Sequence, residues 1–300
     1  MLSKLRSIRP DALIIMLITA VITAIIIPAR GDFADWFATG TKWAVALLFY
    51  LYGARLSTTE AIAGLKHWRL HVLILTCTFV LFPLFGLALF PLKFLLGDGL
   101  YLGILYLCLV PSTVQASIAF TSIAGGNVAG AIVSASLSSI VGVLATPLLA
   151  MVLMGGGHVE ISSGIFINIA IQLFLPFLAG QLTRRWVGTF AAKPATKWLD
   201  KFSVMMIVYS AFSASVVQGV WTSVSAWQVV ALVGVAAIMV VFMLWGTDTL
   251  AARLGFNRAD RITIQFCGAK KSLAAGLPMA IIIFGAGSLG LLMLPLMVFH

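Results

Sequence analysis

Two lysines stand side by side inside an apolar segment close to the C-terminal end of the sequence, at Lys270 and Lys271. The apolar segment begins near Asp260, so at helical rise Lys270 lies about 15 Å from its start, near the middle of a bilayer. A lysine at that depth costs about 2.5–3.5 kcal/mol on insertion scales, and it usually faces a pathway or a partner. We therefore predict a functional site at this pair, with a structural ion pair or a re-entrant segment as the alternative.

The two lysines can serve one site only if the helix unwinds, because adjacent side chains point about 100° apart. Gly268 and Ala269 before the pair and Ser272 after it permit such unwinding. No carboxylate lies nearby in the sequence, so we expect at least one ammonium to meet backbone carbonyls, an anionic substrate or a proton equilibrium. Burial favours the neutral amine, which makes proton coupling through these lysines a physical option. We assign substrate or ion binding to Lys270, Lys271 and Ser272.

A second polar cluster interrupts another apolar segment, directly after Pro111. Proline removes a backbone donor, and the carbonyls that it frees at membrane depth need partners in protein or in a wet cavity. The hydroxyls and the amide that follow can patch such a kink, or they can hold a substrate or a cation. The candidates are Ser112, Thr113, Gln115 and Ser117, and the tight turn that follows them adds Asn127.

The amino-acid composition indicates the class of protein to which these two polar clusters belong. Hydrophobic residues make up 61% of the chain and charged residues 9%, with a mean hydropathy of +1.10, whereas soluble domains are about one quarter charged. The net charge of +10 comes from short loops, so membrane orientation explains it better than nucleic-acid binding does. The sequence has no Walker-type glycine loop and no HExxH motif. We predict a membrane protein without enzymatic activity, cofactor or resident metal.

The apolar segments predict an all-α polytopic membrane protein with ten transmembrane helices in a single domain, residues 1–300. Basic residues gather in alternate loops, so we expect a cytoplasmic N-terminus in a plasma membrane, the bacterial inner membrane. The tenth segment is too short to cross a bilayer before His300, so we expect the last helix to be incomplete in this chain. The predicted segments are 11–29, 36–56, 70–96, 99–124, 127–154, 161–184, 202–221, 227–252, 260–285 and 288 onward.

Ten spans divide into two sets of five, approximately residues 11–154 and 161–300. Because five spans cross the membrane an odd number of times, the second set starts on the opposite side of the membrane from the first. The two sets would therefore have inverted topologies. Inverted repeats are common in secondary transporters, whose substrates bind near the midplane at discontinuous helices in corresponding positions. The fourth and ninth spans, which carry the two polar clusters, occupy corresponding positions. We predict that both are broken.

Three motifs resemble the bile acid:sodium symporter family, and most closely its branch of bacterial symporter-like proteins and vertebrate solute carrier family 10 member seven. The motifs are TFVLFP at Thr78–Pro83, PSTVQASIAFTSIAGGNVAGAIVSAS at Pro111–Ser136 and RITIQFCGAKKSLAAGLPMA at Arg261–Ala280. The resemblance covers nearly the whole chain. It implies a ten-helix fold with a panel and a core domain, unwound fourth and ninth helices that cross near the midplane, and homologous chains that continue beyond His300.

Transporters of the family bind two sodium ions, and the resemblance aligns those ligands with different residue types here. The family's bridging glutamate falls on Gln265, its Gln-Asn pair on Ala269 and Lys270, and a glutamine of its third helix on Thr78. A site that lacks the carboxylate and carries ammonium groups should repel sodium. We therefore expect an ammonium of Lys270 or Lys271 to replace a bound cation at the crossover.

The predicted function is that of a secondary active transporter for a small organic anion, working by alternating access. Sodium coupling is disfavoured, and proton coupling through the lysine pair is the option that we carry forward. The alternative is a regulatory membrane protein that no longer transports, since the ion ligands are replaced and eukaryotic members of the branch are associated with calcium homeostasis. The lipid bilayer is the other expected partner.

Overall fold

A computed structural model describes residues 12–55, 67–154, 170–219, 222 and 224–284, and these residues form helices joined by short turns, without any strand. The N-terminal stretch, the start of the predicted sixth span and the whole predicted tenth span lie outside the described residues. The helices are α1 (Ala12–Ile26), α2 (Gly31–Arg55), α3 (Trp68–Ala88), α4 (Leu92–Leu96), α5 (Asp98–Leu109), α6 (Gln115–Ile123), α7 (Val128–Met154), α8 (Leu175–Ala191, directly after a π-helical turn at Ala170–Phe174), α9 (Pro194–Val217), α10 (Ala226–Arg253), α11 (Arg258–Ala269) and α12 (Leu273–Phe284).

Several helical stretches are long and apolar enough to cross a membrane. Among the described residues, five meet both criteria, and α1 and α5 are shorter apolar helices. The prediction of an all-helical protein with several membrane spans is confirmed, whereas the count of ten and the inverted repeat stay predictions. The five long stretches are Trp68–Ala88, Val128–Met154, Thr196–Val217, Ala226–Arg253 and Arg258–Phe284.

The helices pack in two groups. In the first group, α1 packs against α9, and α2 packs against α8 and α9. In the second, α11 packs against α3, α6, α7 and α10, while α5 packs against α7. The groups meet where α9 contacts α12. The polar clusters identified in the sequence both belong to the second group.

Two helices of the second group are interrupted at the predicted places. The chain leaves helical geometry at Val110 (φ −75°, ψ 155°) and resumes it at Gln115, which separates α5 from α6. It leaves helical geometry again at Lys270 (φ −110°, ψ 143°), which separates α11 from α12. The amide of Ser272 donates to the carbonyl of Pro111 at 2.8 Å. The two breaks are therefore in direct contact, and we call this contact the crossover, while the predicted crossing of the two spans stays a prediction.

Candidate functional site

The ammonium of Lys271 is enclosed at the meeting point of three helical segments. Its side chain is only 1% exposed. Nζ donates to the carbonyl oxygens of Thr78, Cys108 and Val110, each at 2.9 Å. It also lies 4.2 Å from the centroid of the Phe82 ring. Because an ammonium has three N–H donors, all of them are used.

The local sequence explains why these carbonyls are free to accept. Cys108 and Val110 stand at the C-terminal end of α5, where carbonyls lack helical partners and the helix dipole favours a cation. Thr78 lies in a π-helical stretch of α3, in which the Phe82 amide donates to the carbonyl of Cys77. The next residue, Pro83, has no N–H to offer. The carbonyl of Thr78 is thereby left for Lys271.

Donors from the α5–α6 break and from the first turn of α6 satisfy the end of α11 in return. The Ser112 hydroxyl donates to the carbonyl of Cys267 at 2.6 Å, and the Ser117 hydroxyl donates to the carbonyl of Phe266 at 3.1 Å. Thr113 and Ser117 share a hydrogen bond of 2.7 Å between their hydroxyls. Each broken helix therefore supplies the hydrogen-bond partners that the other has lost.

Helix α7 supports the α5–α6 break from outside the crossover. The Thr146 hydroxyl donates to the carbonyl of Leu109 at 2.8 Å, and the amide of Ser112 donates to the Ser138 hydroxyl at 3.0 Å. Gly142 lies between them against Pro111, where a Cβ would come within 2.7 Å of the proline ring. Sequence reasoning missed Thr146 and Gly142, although their spacing on one face of α7 with Ser138 was a usable signal.

Lys270 has surroundings of a different kind. Its side chain is partly buried, and Nζ lies 3.9 Å from the centroid of the Phe120 ring. That ring is itself stacked on Phe266, with 5.6 Å between centroids. Among the residues that the structure describes, none forms a hydrogen bond or an ion pair with Lys270. The unwound backbone thus sends the two ammonium groups to two separate environments.

The other predicted site residues divide between the crossover and its surroundings. Ser272 caps α12 by accepting from the amide of Ala275 at 3.2 Å. Gln265 turns toward α10 and donates to the carbonyl of Leu244 at 3.2 Å. Gln115 is exposed at the start of α6. Whether any of these side chains binds a substrate or an ion stays a prediction.

Asn127 lies at a separate junction, between the start of α7 and the start of α11. Its amide nitrogen donates to Asp260 at 2.8 Å, and its side-chain oxygen accepts from the amide of Gly130 at 2.9 Å. The carbonyl of Asn127 accepts from the Thr263 hydroxyl at 3.0 Å. Thr263 and Lys270 are separated by about 10 Å of α11 at helical rise. Asn127 therefore joins two helix ends and does not contribute to the crossover.

Thr78 and Ser112 allow a matched test of which side chains hold the crossover. The Thr78 hydroxyl donates back to Ile74 in its own helix, so we expect Thr78→Val to lower stability by about 0.6 kcal/mol, the average contribution of a side-chain hydrogen bond inside a membrane protein. Ser112→Ala leaves the carbonyl of Cys267 without its donor, and we expect a loss of about 1–3 kcal/mol. Thermal denaturation of the purified variants measures both, and equal losses would contradict the assignment.

Comparison with known proteins gives the wider context. A family model described as the SBF-like CPA transporter family matches residues 11–300. The uncharacterized protein PA2026 of Pseudomonas aeruginosa is 47% identical over 97% of this chain and 89% of its own length. The putative symporter YfeH of Escherichia coli is 45% identical over 97% of this chain and 88% of its own. The sodium/bile acid cotransporter 7 of Danio rerio is 28% identical over 87% and 80%.

The relatives include bacterial and vertebrate proteins whose names describe symporters and cotransporters. The resemblance that the three sequence motifs indicated is confirmed by these matches and by the extent of the family model. The chain belongs to the SBF-like CPA transporter family.

Proposed function

We propose that this chain is a secondary active transporter for a small organic anion, which binds at Lys270. The observation that carries the proposal is the environment of that ammonium. It lies over an aromatic ring, next to the crossover of two broken helices. No carboxylate of the described residues pairs with it. A partly buried cation without a protein counter-ion is a binding group for an anion.

The aromatic residues beside Lys270 bear on the kind of anion. Phe120 is 43% exposed and, with Phe266, gives an apolar surface next to the charge. An anion with an apolar body can contact both features at once. Bile acids are of this kind, and the vertebrate relatives are named as bile acid cotransporters. Carboxylates, sulfonates and phosphate esters with apolar bodies form the proposed substrate class.

The environment of Lys271 bears on which ion drives transport. A cation already stands among the carbonyls at the crossover, and its charge disfavours sodium close by. Lys270 donates no hydrogen bond to a described residue, so losing its proton would break no such bond. We propose proton coupling through Lys270, with Lys271 as the fixed charge.

The proposed mechanism is alternating access by ten helices in two inverted repeats, residues 11–154 and 161–300, as a single domain. The two groups of packed helices are the candidates for the bodies that move against one another. The distribution of basic residues between loops supports a cytoplasmic N-terminus. The bacterial relatives, at 47% and 45% identity, support the bacterial inner membrane as the location.

Uptake into proteoliposomes tests the proposal. The probes are labelled anions with apolar bodies, including a bile acid, each driven separately by a proton gradient and by a sodium gradient. We expect uptake with the proton gradient, and we expect Lys270→Met to lower it at least about tenfold, equivalent to about 1.4 kcal/mol of binding. The matched control is Lys42→Met, at an exposed lysine of α2, which should retain uptake.

Three results would contradict parts of the proposal. Uptake driven by sodium alone would refute proton coupling, and full activity of Lys270→Met would refute the substrate role of Lys270. If no probe of the three chemical classes enters under either gradient, the regulatory alternative becomes the better account of the chain.

A further inference from the structure

We propose that the three carbonyls around Lys271, together with the Phe82 ring, form a binding site for a primary ammonium ion, and that the chain fills this site with its own side chain. The inference rests on the geometry of the crossover and does not require that the protein transports anything. Its ligand class is R–NH₃⁺, with R a short alkyl chain.

The shape of the site fits an ammonium. The oxygens of Thr78, Cys108 and Val110 each lie 2.9 Å from one nitrogen, so every N–H of the group has its own acceptor. The Phe82 ring, 4.2 Å away, offers its negative face to the same charge. No anionic group is needed, because the carbonyls and the end of the α5 dipole supply the field.

Two acidic residues on the neighbouring helices α10 and α11 have other partners, and no carboxylate of the described residues pairs with Lys271. Asp248 pairs with Arg261 through two bonds of 2.8 and 3.1 Å. Asp260 accepts from Asn127 and Asn257, each at 2.8 Å. A neutral site of this kind favours a monovalent cation with directional donors over a divalent metal, which needs charged oxygen ligands.

The side chain of Lys271 defines the space that a free ligand would enter. Shortening it with Lys271→Ala removes the atoms from Cγ to Nζ, and these correspond to propylammonium. The carbonyls would then face a small cavity without a fixed donor, a costly state that a ligand of matching size and chemistry would relieve. The variant should therefore bind free propylammonium, whereas the unmodified chain should not.

Thermal denaturation of the full chain in detergent provides the test. Lys271→Ala is heated in propylammonium chloride, sodium chloride, potassium chloride or tetramethylammonium chloride at equal ionic strength. We expect propylammonium alone to raise the Tm, saturably and by about 4 °C or more. Tetramethylammonium has the charge without N–H donors and should have no effect. The chain with Lys271, the Lys270→Ala variant and the Lys271→Met variant should not respond, the last because its side chain fills the space.

Each alternative outcome decides the question. No Tm shift with propylammonium, or an equal shift with tetramethylammonium, would overturn the proposal. So would a rise in the Tm of Lys271→Ala with sodium chloride as large as that with propylammonium chloride, since the site would then not select an ammonium. If Lys271→Ala does not fold alone, it is produced and purified with propylammonium present. Recovery of folded protein then supports the site, and failure to recover it refutes the site.

Discussion

Replacing Lys271 by methionine should lower the free energy of unfolding by about 2–5 kcal/mol, from three hydrogen bonds at about 0.6–1.7 kcal/mol each inside a membrane protein. Methionine has nearly the length of lysine and is adaptable in shape, so little of the loss should come from a cavity. The loss arises because the carbonyls of Thr78, Cys108 and Val110 keep their buried positions and lose the side-chain donor that Lys271 gives them. Thermal denaturation of the purified variant in detergent measures it.

The neighbouring lysine is the matched control for that prediction. Lys270→Met removes a charge of the same type, one residue away, that makes a ring contact but no hydrogen bond with a described residue. A cation–π contact at a partly exposed site contributes about 0.5–1 kcal/mol. We therefore expect a much smaller loss of stability from Lys270→Met. If both variants lose equal stability, the hydrogen bonds of Lys271 are not what holds the crossover.

The two breaks could be predicted from the sequence because each has a local cause. Pro111 cannot continue the hydrogen-bond ladder of α5, and hydroxyl residues stand ready directly after it. Lys270 and Lys271 cannot both be accommodated on one face of a regular helix at membrane depth. A proline or a polar cluster inside an apolar segment can be recognised within a few residues of sequence. The structure has both helix breaks at these positions.

The different environments of Lys270 and Lys271 could not be predicted from the sequence in the same way. It depends on Thr78, whose carbonyl is free only because α3 has a π-helical stretch and because Pro83 follows at the right spacing. The sequence interpretation selected Thr78 for its alignment with a side-chain ligand, whereas the structure uses its backbone oxygen. Every residue has a backbone carbonyl, so its role depends on the conformation of the chain and cannot be predicted from the residue type.

The packing of α2 against α8 was equally invisible in the sequence, because its two key residues lie far apart in the chain. A Cβ added to Gly53 would lie 2.0 Å from the carbonyl oxygen of Phe177, and one added to Gly180 would lie 2.1 Å from that of Tyr50. Both obstacles are backbone atoms, which cannot rotate away. The two helix backbones approach this closely only because both residues are glycines, as in other close pairs of membrane helices.

Gly180→Ala should therefore destabilise the protein by at least about 2 kcal/mol, by forcing the two helices apart. Helix propensity alone predicts the opposite sign, since alanine is better than glycine inside a helix by about 1 kcal/mol. Gly234→Ala on α10 separates these two effects, because nothing lies within 4 Å of the added Cβ there. That control should be neutral or stabilising in the same thermal denaturation assay.

The double variant tests whether the two glycines act at one interface. Once the methyl group of Gly180→Ala has separated α2 from α8, the methyl group of Gly53→Ala meets a gap that is already wider. The double variant, Gly53→Ala with Gly180→Ala, should then lose less unfolding free energy than the two single variants lose in sum, as expected for residues in contact. Additive losses would mean that each glycine is needed for a separate local reason, and the close approach of the two helices would not be what stabilises this half of the fold.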